Sequence, residues 1–250
     1  MRYAGSKKKF MKHLLPIISE HLKDEDTLFV DMCTGGANVV SEVDWHNKWA
    51  VDNNEYVIAM WKRIQELNAQ GGDAWREWIP SEVSEETYLK AKDTYINSSG
   101  GMEPGLVGYI LSSCSFGSAW ANGYARTNVA RGENHILEAY NNICRQVENF
   151  KNLQDTTFIC CSYDELTFPK NTLIYVDPPY ATTKKYMHDF AHQQFYEWCR
   201  KMKRKGHTLL ISEYDMPDDF KCIWSMEKKD SLGRRKGQRQ NIRIEKLFTL

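Results

Sequence analysis

Asp177-Pro178-Pro179-Tyr180 is the stretch of this sequence best equipped for chemistry. Two consecutive prolines fix φ, force an extended path and leave backbone carbonyls facing outward with no local amide donor. The Asp177 carboxylate can accept a hydrogen bond from an amine, the Pro178 carbonyl can accept a second, and the Tyr180 ring can stack on a planar group. An exocyclic amine held in that way has its lone pair freed for attack on a sulfonium methyl. Asp and Pro are also common turn residues, so the tetrapeptide alone is compatible with a plain turn. The apolar run Leu173-Ile174-Tyr175-Val176 directly before it favours the chemical reading, because ligands gather at strand carboxyl ends in open α/β sheets.

The elements that must position this turn can be read from hydrophobic patterning. Residues 27–33 form an apolar run that ends in an acid and enters Thr34-Gly35-Gly36-Ala37-Asn38, the signature of a buried strand meeting a tight loop, with a helix expected after the glycines. Lys48-Trp49-Ala50-Val51-Asp52 is a second strand of the same style, and residues 55–67 carry apolar side chains at helical spacing. A strand-helix-strand-helix beginning predicts a parallel sheet. Strand patterns return at 157–161, 172–177 and 207–212, a helix is expected over 193–205, and 221–226 with 241–248 can pair as a closing antiparallel hairpin. Between them, residues 70–152 read as mainly helical segments broken by glycine and serine clusters. The expected organisation is therefore a catalytic domain over 1–69 and 153–250 with an inserted lobe over 70–152.

Asp52 ends the second strand at about the 20-residue spacing after the glycine loop at which an acid commonly binds ribose hydroxyls; a helix N-cap is the competing role. Glycines at 35 and 36 let backbone approach a ligand closely, and Asp31 at the first strand end can meet a ligand's ammonium.

Composition bounds the setting. The 250 residues carry 33 basic and 33 acidic side chains, so the average charge does not point to nucleic acid. The average hides local excess: residues 1–13 hold Arg2, Lys7, Lys8, Lys9 and Lys12 without an acid, and residues 228–246 hold eight basic residues against Asp230 and Glu245. Local positive charge is what a DNA-binding face requires, although solvated surface lysines look the same in a sequence. Seven cysteines without a C-x-x-C pair argue against a disulfide framework or structural zinc, and His188 with His192 lack further ligands, so no metal is expected. With no apolar run of the roughly 18 to 20 residues that span a bilayer and no secretory signal, a cytoplasmic protein is expected.

Set together, these motifs resemble the Dam-type family (D12 class, α group) of DNA adenine-N6 methyltransferases, whose catalytic motif is (D/N)-P-P-(Y/F). Arg2-Tyr3-Ala4-Gly5-Ser6-Lys7 resembles that family's opening motif. The resemblance implies that Tyr3, Gly5 and Lys7 border the cofactor and that Arg2 touches DNA. Phe29 to Gly36 resembles the family's glycine-rich loop, with Met32, Cys33 and Ala37 departing from it. Tyr163 falls where the family places an aromatic near the cofactor adenine, while Ser162 replaces the acid beside it. Ile244 to Phe248 resembles the last strand. The implied fold is a Rossmann-like methyltransferase domain, α/β with a mostly parallel sheet and a C-terminal antiparallel hairpin. The implied cofactor is S-adenosylmethionine, with Tyr3, Gly5, Lys7, Asp31, Gly35, Asp52, Tyr163 and Asp177 around it.

Asn122-Gly123-Tyr124-Ala125-Arg126-Thr127-Asn128 resembles the family's DNA-reading hairpin, and Asn-Gly is itself a hairpin-turn signal. Arginine can address guanine and asparagine adenine, which makes Arg126 the expected base reader with Asn122, Tyr124 and Asn128 beside it; an ordinary polar loop is the alternative. Trp75, Trp78 and Trp198 sit in helical patterns and are expected in the core. The implied activity is methylation of adenine N6 in double-stranded DNA at a short GATC-like site, by base flipping and without a cysteine nucleophile. Methylation of an RNA base or a protein glutamine amide is the rival activity, and a DNA-binding protein with a decayed fold is the rival without one.

Overall fold

The computed structural model describes residues 1, 3, 5–99, 101–126, 134–179, 190–229 and 242–250. Of the residues singled out above, Arg2, Asn128, Tyr180 and His188 lie outside these, as does most of the basic stretch after residue 229.

Seven strands among the described residues form one sheet in the order β3-β2-β1-β4-β5-β7-β6. They are β1 (Phe29–Met32), β2 (Lys48–Asp52), β3 (Thr156–Cys160), β4 (Leu173–Val176), β5 (Thr208–Glu213), β6 (Lys221–Lys229) and β7 (Ile242–Thr249). The first five run parallel, and β7 pairs antiparallel with both β5 and β6, so the closing hairpin forms as the pattern predicts. The chain lays β1, β2 and β3 outward in one direction and then returns to place β4 on the other side of β1. That reversal is the switch point at which open α/β sheets leave a crevice, and β1 and β4 are the strands that end in Asp31-Met32 and Asp177.

Burial on both faces explains why these strands read as continuous apolar runs. Along β4, Leu173 and Tyr175 enter one core cluster while Ile174 and Val176 enter the other. The second cluster is closed by α7 (His192–Arg204), whose Phe195, Trp198, Cys199 and Met202 recur at helical spacing. The first is closed by α1 (Met11–His21) through Met11, Leu14 and Ile18 and by α2 (Glu55–Ala69) through Val57, Met60, Trp61 and Ile64. Asn54 caps α2, its side chain accepting from the Tyr56 and Val57 amides, so the N-cap role open to Asp52 belongs to Asn54.

Residues 70–152 contribute α3 (Ala74–Trp78), α4 (Glu85–Asn97), α5 (Pro104–Ser113) and α6 (His135–Glu148). Their buried side chains, among them Tyr109, Ile110 and Ile143, join the same cluster as Phe29 and Ala50 of the sheet. Trp75 and Trp198 are buried as expected, whereas Trp78 is half-buried and its indole N–H donates to Glu103.

Two local expectations are corrected. The glycines after β1 lead into a series of turns over residues 35–42, not a helix. Gly35 and Ala37 have positive φ (45° and 51°), and the Val40 amide donates to the Asp31 carboxylate instead of to a helical carbonyl. Asn122-Gly123 is not the tip of a two-residue hairpin. The antiparallel bridge joins Ser115 to Tyr124, the Ala125 amide donates to the Cys114 carbonyl at 2.8 Å, and the intervening chain turns through left-handed Gly117, Ser118 and Ala121.

Gly108 shows how closely α5 lies on α2: a Cβ built there would stand 2.0 Å from the Tyr56 carbonyl oxygen, an immovable backbone atom. Gly108→Ala is expected to cost about 1–3 kcal/mol by overpacking and to lower the thermal midpoint by roughly 2–10 °C. Thermal denaturation followed by circular dichroism checks this; an unchanged midpoint would mean the helices are not held at this distance.

Candidate active site

Asp177 continues the parallel ladder beyond β4, its amide donating to the Met32 carbonyl at 3.2 Å, and so its side chain emerges beside the loop that follows β1. The N-terminal segment closes over this point. A turn in which the Ser6 amide donates to the Tyr3 carbonyl, with Gly5 at φ 82°, sends Tyr3 and Lys7 to different places in the crevice. The Lys7 ammonium lies 2.7 and 2.8 Å from the two Asp177 carboxylate oxygens, donates to the Gly5 carbonyl at 2.9 Å and stands 3.3 Å from Glu245 of β7. Lys7 and Glu245 are almost wholly buried (3% and 2% exposed), and Asp177 keeps 21% of its side chain open. Burial alone would drag the Lys7 ammonium down, but Asp177 first and Glu245 second, by charge and hydrogen bonding, hold it above its ordinary value.

Tyr3 lies over the glycine loop. A Cβ on Gly35 would meet the Tyr3 ring at 2.5 Å, and one on Gly36 would meet the Tyr3 Cβ at 2.8 Å, so the aromatic can rest here only because both positions lack side chains. Three further regions hold the same loop. The Asp52 carboxylate accepts from the Gly35 amide at 2.9 Å and from the Asn54 amide at 2.9 Å; the Trp61 indole N–H donates to the Gly35 carbonyl at 3.0 Å; and Gln146 of α6 donates to the Gly36 and Ala37 carbonyls at 2.9 and 3.0 Å.

The sequence-predicted acids therefore divide. Asp31, 2% exposed, lies beneath the loop and accepts from the Thr34 hydroxyl at 2.9 Å and the Val40 amide at 3.0 Å. Burial, aided by the charges of Asp177 and Asp52 and opposed by those two hydrogen bonds, pushes its carboxyl up to about 7. Asp52 is half-buried and also raised, by burial against its backbone hydrogen bonds. Cys33, in left-handed conformation at φ 63°, has its thiol pushed well up by burial and by these acids, which keeps it protonated and poorly nucleophilic. Tyr163 follows the end of β3, where the Cys161 amide donates to the Asp52 carbonyl; its ring packs edge-on against Trp198 and Phe195 of α7.

Tyr124, Ala125 and Arg126 reach other segments at Val83, Cys114 and Glu85. Asn122 is exposed, and Arg126 is 75% exposed with its guanidinium 2.8 Å from Glu85. Tyr124 turns inward, its hydroxyl donating to the Val83 carbonyl at 2.6 Å and its ring resting against Tyr88. Sequence reasoning did not single out Glu245, Trp61 or Gln146 for the site. Glu245 had a signal: it shares strand parity with Leu247, which is buried, so an acid falls on the inward face of β7.

A glycine loop and an Asp-Pro-Pro turn meet at the switch point of a mostly parallel α/β sheet, with an acid at the neighbouring strand end. A family model of the D12 class N6 adenine-specific DNA methyltransferases matches residues 3–230, and the chain belongs to that family. It is 28% identical over 217 residues to the modification methylase StsI of Streptococcus sanguinis and 24% identical over 217 residues to the type II methyltransferase M.FokI of Planomicrobium okeanokoites. Each match takes in 82% of this chain and 32% of the relative, so the chain spans about a third of the length of these curated relatives. A solved structure of SMU.472 complexed with SAH aligns with 99% of this chain and 53% of its own at 13% identity and a TM-score of 0.41.

The Asp31 carboxyl gives a pH test of the loop. Its folded-state value of about 7 lies above the ordinary 3.8, so the folded state holds this proton more tightly than the unfolded state. Relative to Asp31→Asn, which can keep both accepted hydrogen bonds, the native protein should lose stability as pH rises from 3.8 to about 7 and level off above that. Urea unfolding of the two proteins across this range measures the difference; a gap independent of pH would contradict the burial of this charge.

Proposed function

We propose that this chain transfers a methyl group from S-adenosylmethionine to the N6 amine of an adenine flipped out of double-stranded DNA, at a short GATC-like site. The observation that carries the reading is the position of Asp177: a rigid acceptor turn at the end of β4, adjacent to the glycine loop after β1. Family membership and the resemblance to two modification methylases support the substrate, and with it a role in restriction-modification. The same membership weighs against an RNA base or a glutamine amide as the acceptor.

The residues fit such a cofactor. Tyr3 rests on the paired glycines and borders the loop with an aromatic ring, and Asp52 and Asp177 place negative charge around a crevice suited to a cationic sulfonium and ammonium. Asp52 uses two of its roughly four acceptor positions on backbone amides and keeps the rest for ribose hydroxyls. Asp31 sits below the loop and serves it as a brace, so its contribution to an ammonium is one of charge. When bound, the cofactor supplies the electrophilic methyl.

Asp177 accepts an N6 hydrogen and the Pro178 carbonyl accepts the other, which localises the nitrogen lone pair along the line of attack. Tyr180, directly after Pro179, provides the ring on which the base stacks. Lys7 shares Asp177 with the incoming amine, using the acceptor positions that a carboxylate has to spare. Formation of the N–C bond as the sulfur–methyl bond breaks would leave positive charge on the amine and a neutral thioether; Asp177 would stabilise that charge, and the displaced proton would leave to solvent or through Asp177. No thiolate participates. Arg126 exchanges its exposed Glu85 partner for a guanine edge, and Asn122 and Asn128 flank it.

Transfer of labelled methyl from the cofactor to duplex oligonucleotides, with GATC and with the same bases scrambled, tests this reading. Label is expected in the GATC duplex, and Asp177→Ala should lower turnover by at least about 100-fold while cofactor affinity stays within about tenfold. Wild-type turnover in that variant would overturn the assignment of Asp177, and label in neither duplex would overturn the site.

A further inference from the structure

Glu245 is the one carboxylate of the cluster that the proposed chemistry leaves without a task. It stands on β7, two strands from β4, with its side chain 2% exposed and an oxygen 3.3 Å from the Lys7 ammonium. A carboxylate so deeply buried is costly unless a buried cation answers it, and here that cation already holds both oxygens of Asp177. Lys7 thus has one positive charge divided between two anions that arrive from different strands. We infer that Glu245 is a positioning residue for methyl transfer: by drawing on the charge of Lys7, it leaves Asp177 basic enough to accept the target amine.

This inference rests on the role proposed for Asp177 and assigns the strength of that carboxylate as an acceptor. Paired with Lys7 alone, Asp177 would face an undivided ammonium, and its capacity to accept a further N–H would fall. Glu245 acts in two ways at once. It competes for Lys7, and its negative charge raises the affinity of Asp177 for a proton. Among the described residues, Lys7 from the N-terminal turn contacts Asp177, Asp31 and Cys33 at the end of β1 and Tyr175 on β4 feel its charge, Asp52 at the end of β2 lies with Asp31 and Cys33, and Glu245 on β7 meets it through Lys7. Asp31 and Asp52 are tied to the loop amides and hydroxyl, and the Tyr175 hydroxyl is hydrogen bonded to Ser212 at 2.7 Å. Among these groups, Glu245 is the anion in contact with Lys7 besides Asp177 itself.

Glu245→Gln keeps the shape and removes the charge. The carbon-13 signal of the Asp177 carboxyl, assigned by its loss in Asp177→Asn, is expected to titrate about one unit lower in Glu245→Gln than in the native protein without ligands. With cofactor and duplex, kcat should fall about tenfold, the acid limb of the pH profile should move down with the carboxyl titration, and KM should change less than threefold. Glu245→Asp, which keeps the charge, should restore the acid limb. Glu245→Met removes the same charge through an apolar side chain of similar length and serves if the glutamine variant does not fold. An Asp177 titration unchanged in whichever variant folds, or a shifted titration with unchanged kcat, would overturn the inference. The carboxyl titration needs no substrate, so its failure is distinguishable from a failure of the native protein to methylate DNA.

Discussion

The contact between Lys7 and Asp177 is the interaction on which the rest of the site depends. It joins residues 170 positions apart, and it is made where the sheet topology reverses, so it ties the start of the chain to the carboxyl end of β4. The contact is costly to lose, because the buried Glu245 shares the Lys7 ammonium and the turn that carries Tyr3 over Gly35 and Gly36 is anchored through it. One ion pair therefore fixes the Asp177 carboxylate and, through Tyr3, the roof of the glycine loop.

Charge is concentrated here at the expense of local comfort. Asp31 is buried with its carboxyl raised to about 7, Cys33 and Ala37 occupy left-handed conformations, and the loop is held by groups from the N-terminal turn, β2, α2 and α6. Such a loop is assembled by tertiary contacts and has no secondary structure to fall back on. Strained backbone and raised carboxyls of this kind cluster at functional sites. The helices of residues 70–152 belong to this assembly, since Gln146 of α6 grips the loop from within the same segment of chain that carries the exposed Arg126.

What could be read in advance follows from range. β2 matches its apolar run residue for residue, and α2, α7 and the β6–β7 hairpin fall where period and alternation place them, because those patterns report local geometry and burial. Asp177 was legible because a proline pair after a buried strand has a fixed conformation and a fixed place. α1 had no expectation attached to it: Met11, Leu14 and Ile18 keep helical spacing, but Pro16 stands inside the helix. The turns over 35–42 escaped because side chains from β1, β2 and α6 take the backbone groups a helix would have paired, and no local pattern records that. Tyr124 looked like a surface neighbour of Arg126, yet its hydroxyl turns inward and donates to the Val83 carbonyl. The pairing of Glu245 with Lys7 depends on the register of β7 against β5, which only the assembled sheet reveals.

The account rests on Asp177 accepting the target amine in the presence of Lys7. A structure of the protein with a methyl-free cofactor analogue and a duplex carrying the target adenine would show this contact directly. The account predicts the adenine N6 within hydrogen-bonding distance of Asp177 and the Pro178 carbonyl, with Lys7 displaced toward Glu245 or sharing one carboxylate oxygen. An extrahelical adenine whose N6 lies away from Asp177, with Lys7 still on both oxygens, would contradict it.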